Sequence, residues 1–151
     1  MSFGAMATFI VASTLHTGPA LEVSLNDYVC MVEAIHFEAK GENYEGKVAV
    51  ANVIKNRVAH SGFPGDVCGV VTQRRQFSYR DDGKPTLVLK NKIEEESFKE
   101  SARIALLAVN DSLADNTGGA DHYYAHNKVE PYWKDAATHS KVLGNHTFVR
   151  L

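Results

Sequence analysis

The chain has 151 residues, of which 44% are hydrophobic and 23% charged, the size and balance of one globular domain with a single core. A formal net charge of −2 gives no electrostatic footprint for DNA, RNA or an anionic membrane, so nucleic acid is excluded as an expected partner and no membrane anchoring is expected. Cys30 and Cys68 stand far apart and in no C-x-x-C pattern, which excludes a zinc knuckle or a disulfide framework; two buried free thiols are expected rather than a bridge.

From Ser2 to Leu21 there is no Lys, Arg, Asp or Glu, and Phe3 to Ala12 is mostly apolar, as in an export or anchor segment. The stretch has no basic n-region, is interrupted by His16, and is too short and mixed to span a bilayer. Residues 1–23 are therefore read as an N-terminal arm packed on or near the domain, with a signal-like segment as the alternative, and residues 24–151 as the domain itself.

Ser24 or Asn26 can cap a first helix with Asp27 in its first turn, and Leu25, Tyr28, Val29, Val32, Ile35 and His36 recur at helical spacing as far as Ala39. Gly41 supplies the stop. A second helix is predicted from Tyr44 to His60, apolar nearly all round, with Lys47, Asn52, Lys55, Asn56 and Arg57 either solvated or polar-paired. Gly62, Pro64 and Gly65 make a loop, and Val67 to Val71 one or two helical turns. Asp82-Gly83 between residues of strand-like composition predicts a hairpin over Gln76 to Val88. A third long helix is predicted from Ile93 to Leu113, with Phe98, Ala102, Ala105, Leu106 and Val109 as its inner stripe. Thr117, Gly118 and Gly119 follow it, and short strands are predicted around His122 to Tyr124 and Thr147 to Arg150. Helices early and a small β region late indicate an α+β fold.

Three groups of residues offer chemistry. Glu38 falls on the flank of the first helix's apolar face, near Met31, Ala34 and Ile35, and burial favours the protonated form of a carboxyl, the property a general acid needs near neutral pH. Glu42 and Glu45 follow Gly41 and are expected in the turn, more exposed; the plain alternative is that all three are surface carboxylates near helix ends. His122 and His126 have the i, i+4 spacing of a helical zinc pair, but Tyr123 and Tyr124 between them favour a strand, which would separate them by about 13 Å. Metal binding is not expected. The aromatics Phe77, Tyr79, Tyr123, Tyr124, Tyr132 and Trp133 lie outside the long helices, where they serve equally as sugar-stacking groups or as core.

In order along the chain stand His36-Phe37-Glu38-Ala39-Lys40-Gly41-Glu42, Tyr44-Glu45-Gly46-Lys47-Val48-Ala49-Val50-Ala51, Asn56-Arg57-Val58, Phe63-Pro64, Cys68-Gly69-Val70-Val71 and Gln76-Phe77-Ser78. Gly119-Ala120-Asp121-His122-Tyr123, Pro131, Trp133 and Gly144-Asn145-His146-Thr147-Phe148-Val149-Arg150 complete the series. It resembles the SleB/CwlJ-type cell wall hydrolase family, the spore-cortex-lytic enzymes and their bacterial and phage relatives, over residues 27–150. The resemblance implies a lysozyme-like, lytic-transglycosylase-like fold: helices around a cleft whose other wall is a small β region. It also implies Glu38 as the catalytic acid, with Gln76, Phe77, Ser78, His122 and Tyr123 lining the cleft and Glu42 as a further substrate contact.

Two departures from the family pattern stand out: Lys40 where Arg is frequent, and no separate peptidoglycan-binding module within these residues, so that targeting is expected from the domain itself or from its delivery. The expected activity is cleavage of peptidoglycan glycan strands between N-acetylmuramic acid and N-acetylglucosamine by lytic transglycosylation. One Glu acts as acid and then base, with no cofactor and no metal. The alternatives are a two-carboxylate muramidase or glucosaminidase using Glu42 or Glu45, a zinc amidase using His122 and His126, and a non-catalytic glycan-binding module. A monomer made in the cytoplasm and acting at the wall or periplasm is expected, whether encoded by a bacterium or a phage, with the export route open.

Overall fold

The structure is a computed structural model, and it describes residues 8–11, 21–73 and 89–151. The hairpin predicted over Gln76 to Val88, and with it Gln76, Phe77 and Ser78, lies outside the described residues. Strand β1 (Thr8–Val11) pairs antiparallel with β2 (Leu21–Ser24), which runs straight into helix α1 (Leu25–Glu38). The Ser24 hydroxyl accepts from the Asp27 amide at 3.4 Å, the predicted N-cap. Met31, Val32, Ala34 and Ile35 form the buried face. Gly41, at φ +82°, turns the chain toward α2 (Tyr44–Ala59), whose cap is Asn43 accepting from the Gly46 amide at 3.0 Å.

Helix α2 is the core helix, with Val48 to Ile54 all buried. Its polar residues resolve the alternative left open by the sequence: Lys47, Asn52 and Arg57 are buried and paired rather than solvated. The Lys47 ammonium donates to the Ser97 carbonyl and hydroxyl at 3.0 and 2.9 Å and pairs with Glu100 at 3.1 Å. The Asn52 amide donates to the Ala114 carbonyl at 3.0 Å, and Arg57 Nε to the Asp121 carbonyl at 2.7 Å. These bonds tie α2 to the long helix that begins at Lys92, to the loop that follows it and to the segment that enters the sheet. Removing a buried polar group from water costs several kcal/mol unless it is bonded, so each pairing also selects against alternative packings.

The short helix α3 (Val67–Thr72) packs on α1 and α2, and α4 (Lys92–Val109) crosses both. Helix α4 ends four residues before the predicted Leu113. Asp111 takes a left-handed φ of 56°, the Ser112 amide bonds the Leu107 carbonyl at 2.8 Å, and the Asp111 amide bonds that of Ala108 at 3.1 Å. This paired closure ends a helix as a glycine would. The predicted inner stripe departs at Leu106, which is 39% exposed: Ser101, Ile104, Ala105 and Ala108 are buried, and Phe98, Ala102 and Val109 pack half-buried against the core.

The second correction concerns the cysteines. Cys30 and Cys68 form a disulfide, with Cα atoms 5.3 Å apart, that bolts α1 to α3. The expectation of free thiols rested on their separation in sequence, which the packing of α1 against α3 cancels in space.

The β region is a three-stranded antiparallel sheet in the order β3 (His122–Ala125), β5 (His146–Arg150), β4 (His139–Leu143), with a 3-10 turn at Lys134–Ala136 between β3 and β4. In register, Tyr123 opposes Phe148 and Ala125 opposes His146, while His122 opposes Val149 and Tyr124 opposes Thr147. Opposed residues share a face. Phe148, fully buried, joins the helical core together with Tyr123 and Leu143. The result is the α+β arrangement expected, helices against a small sheet. Among the described residues no helix is long and apolar enough to cross a membrane.

Candidate active site

Glu38 is the last residue of α1, just ahead of the buried Ala39 and of the turn at Gly41. It is half-buried, with its carboxyl facing the sheet across the junction of the two layers. The Tyr123 hydroxyl donates to Glu38 Oε2 at 2.9 Å. Tyr123 is itself held by stacking on Phe148, at 5.5 Å between centroids, and by an edge contact with His146, also at 5.5 Å. A core aromatic thus sets the position of the phenol that holds the carboxyl.

Beside this pair lies an open cavity of about 420 Å³, lined by Glu38, Glu42 and His146 together with Lys40, Asn145 and Lys128 among others. The lining is mostly polar, with the α1–α2 turn on one side and the ends of β3 and β5 on the other. Glu42, expected to be exposed, is not: its side chain is only 7% accessible, and Oε1 meets His146 Nδ1 at 2.9 Å. The turn folds Glu42 back against the β4–β5 hairpin, which is why the glycine ahead of it did not translate into exposure. Glu45 is exposed, in the first turn of α2, and accepts from the Asn116 amide at 3.2 Å; it is not part of the cavity wall.

His122 stands on the opposite face of β3 from Tyr123. Its Nδ1 lies 2.9 Å from Asp121 Oδ1, and its ring sits between Phe63, at 6.2 Å, and Trp133, at 5.3 Å. The structure therefore brings Tyr123 and Glu42 to Glu38 and places His122 in a separate aromatic cluster. His126 Nδ1 faces the Thr147 hydroxyl at 3.2 Å. Among the described residues no group of three or more His, Cys, Asp and Glu side chains is placed to hold a metal ion. His36, next but one to Glu38, points into the core against Phe37 and Phe98, and burial, reinforced by the Lys40 charge, holds its pKa below the usual value.

The sequence reading missed His146 as a site residue. It occurs only within the Gly144-Asn145-His146 run, and its pairing with Glu42 needs the β4–β5 hairpin to be folded against the α1–α2 turn. The single local hint is Gly144, at φ +59°, where a Cβ would collide with the Glu42 carboxylate.

The Tyr123 to Glu38 bond makes a direct prediction. With Glu38 as the acid that the family resemblance implies, a phenol already donating to Oε2 would stabilise the charge left when the carboxyl gives up its proton, and hydrogen bonds to charged groups are worth about 1.5–3 kcal/mol. Tyr123→Phe, which removes only the hydroxyl, is expected to lower kcat by roughly tenfold to a hundredfold, with a melting temperature close to that of the unaltered chain. An unchanged kcat, measured by release of soluble fragments from peptidoglycan, would show that the phenol has no part in the reaction.

Residues 41–149, beginning just after Glu38, match the cell wall hydrolase family. The spore cortex-lytic enzymes of Bacillus cereus and Oceanobacillus iheyensis are each 35% identical to this chain, over 128 and 129 residues, 84% of the chain in both cases. Those stretches are 45% and 42% of the relatives, so the chain spans less than half the length of the curated proteins it matches. Among solved structures, the catalytic domain of the germination-specific lytic transglycosylase SleB from Bacillus anthracis superposes with a TM-score of 0.69 at 34% identity, covering 84% of this chain and 96% of that one. The catalytic domain of the Bacillus cereus SleB protein gives the same TM-score at 32% identity, covering 92% of this chain and 98% of that one. A family match across most of the chain, carried on a fold that superposes on nearly all of two SleB catalytic domains, makes this chain a member of the cell wall hydrolase family.

Proposed function

We propose that the chain cuts the glycan strand of peptidoglycan between N-acetylmuramic acid and N-acetylglucosamine, as a lytic transglycosylase with Glu38 as its one general acid and base. The observation that carries this reading is the placement of Glu38: a half-buried carboxyl at a helix end, held at one oxygen by Tyr123, at the edge of an open polar cavity large enough for a sugar ring. Glu38 protonates the scissile glycosidic oxygen. The carboxylate so formed then takes the proton of the C6 hydroxyl as that oxygen closes on C1, giving a 1,6-anhydro ring with no water consumed.

Two features favour one carboxyl over two. Glu42 is engaged with His146, and Glu45 lies outside the cavity wall, so neither is placed like the free second carboxylate of a hydrolase. Gln76, Phe77 and Ser78 enter as sugar contacts through the family resemblance, and the aromatic cluster of His122 and Trp133 as a further sugar contact on the far face of β3. The sequence similarity to spore cortex-lytic enzymes, together with the fold shared with a lytic transglycosylase domain, supports the same substrate class.

The masses of the products test the reading. Digestion of purified peptidoglycan is expected to release muropeptides ending in 1,6-anhydro-N-acetylmuramic acid. Reducing-end muropeptides would instead identify a hydrolase, free stem peptides an amidase, and no release a binding module.

A further inference from the structure

We propose that His146 is a substrate-positioning residue: its Nε2 accepts a hydrogen bond from a hydroxyl or acetamido N–H of the bound N-acetylated sugar, and Glu42 fixes the imidazole in the tautomer that makes this possible. The inference rests on the peptidoglycan reading above and adds to it a second, separate polar contact next to Glu38.

Three observations carry it. The first is the sequestered pair, His146 Nδ1 to Glu42 Oε1 at 2.9 Å, with side chains 16% and 7% accessible. A carboxylate only accepts, so Nδ1 must carry the proton, and in the neutral ring Nε2 is then left as an acceptor. Among the described residues no group hydrogen-bonds Nε2, while the ring forms part of the cavity wall alongside Glu38. The second is the space made for the Glu42 carboxylate. A Cβ on Gly46 would sit 2.9 Å from Glu42 Cβ and 3.1 Å from Oε2, and a Cβ on Gly144 would collide with Oε2, so glycines on both sides leave the carboxylate one place to lie. The third is the ring contact between His146 and Tyr123, 5.5 Å between centroids, which sets the imidazole at a fixed distance from the phenol on Glu38.

A surface ion pair would show none of these features. A glycine-flanked carboxylate and a largely covered imidazole, brought from different elements to one cavity, resemble the orienting arrangement in which a carboxylate fixes an imidazole for work on its far nitrogen. A sugar hydroxyl or acetamido N–H is the natural donor to that nitrogen, because the ligand class is rich in both and the same wall also carries amide and ammonium donors, from Asn145, Lys40 and Lys128, for the acceptor oxygens of the sugar.

The test uses the Glu38→Gln chain, which can bind glycan without cutting it, with imidazole nitrogens labelled by ¹⁵N. Titration with a soluble tetrasaccharide of alternating N-acetylglucosamine and N-acetylmuramic acid is expected to shift the His146 Nε2 resonance while Nδ1 stays protonated and bonded to Glu42. If Tyr123 resonances move and Nε2 does not, the inference is overturned and the peptidoglycan reading stands; if nothing moves, that reading fails and takes the inference with it. Activity in the otherwise unaltered chain gives a second arm. His146→Asn keeps a donor for Glu42 but places nothing at the Nε2 position, and is expected to lower kcat/KM at least tenfold. His146→Gln places an amide near the Nε2 position and is expected to recover to within about fivefold. Full activity in folded His146→Asn, or rescue by Asn and not by Gln, would make the pair structural.

Discussion

Glu38→Gln is expected to lower peptidoglycan cleavage by at least about a hundredfold while leaving the chain folded. General acid catalysis typically contributes on the order of 10² to 10⁴ in rate, and the amide has no proton to give at the glycosidic oxygen. Its carbonyl oxygen can still accept from the Tyr123 hydroxyl, so that bond survives the change in kind. The side chain is isosteric and half-buried, so the melting temperature should stay within a degree or two. Glu45→Gln is the control: it makes the same charge change in the first turn of α2, at an exposed site away from the cavity, and should leave the rate unaltered. A folded Glu38→Gln chain that still clears peptidoglycan would remove the single-acid mechanism. Equal loss in a folded Glu42→Gln chain, with reducing-end products from the unaltered chain, would replace it by a two-carboxylate one.

What was legible in the sequence follows from how local each signal is. Helix α1 was readable at both ends because Ser24 caps it through a bond three residues long and Gly41 takes the left-handed turn that ends it. Asparagine caps at Asn43 and Asn91 work in the same short range. Helix α4 was read too long because Asn110 and Asp111 carry no mark as strong as glycine, and Leu106 was placed inside because a leucine outweighs Ser101 and Ala108 in any apolar count. Only packing against α1 and α2 decides which face turns inward. Small residues win there, since they let the helix axes approach.

The site divides in the same way. The position of Glu38 on the flank of an apolar face was legible from spacing and Tyr123 as a cleft residue from resemblance, but not the hydrogen bond between them. That Tyr123 and His122 point to opposite faces follows from strand alternation once β3 is assigned. The burial of Glu42 was not legible, because a residue after a turn glycine is exposed by default and its partner His146 arrives from the other end of the chain. Lys47, Asn52 and Arg57 teach the related lesson for α2: polar residues on a nearly all-apolar helix are here the hinges between layers, each bonded to a segment far away in sequence.

Reduction of the Cys30–Cys68 disulfide is expected to lower the melting temperature by about 10 °C without abolishing activity at 25 °C. The bridge closes a loop with a sequence separation of 38, for which the chain-entropy relation gives about 4 kcal/mol of unfolded-state restriction, within a general range of about 2–5 kcal/mol for native disulfides. A domain of this length moves by about 2–4 °C per kcal/mol, so a loss of 3–4 kcal/mol is large against a total stability of about 5–15 kcal/mol. Activity should persist at lower temperature because neither cysteine lines the Glu38 cavity and α1 and α3 remain joined by the contacts of Val67, Val70 and Val71 with the core. Cys30→Ala with Cys68→Ala should reproduce the effect of reductant and be indifferent to it, which separates loss of the bridge from any other action of a thiol reagent. Disulfides persist in oxidising surroundings, so the bridge is consistent with the proposed action on the cell wall. A melting temperature unmoved by reductant, with free thiols then detected in the native chain, would return the cysteines to the unbridged state that their separation in sequence first indicated.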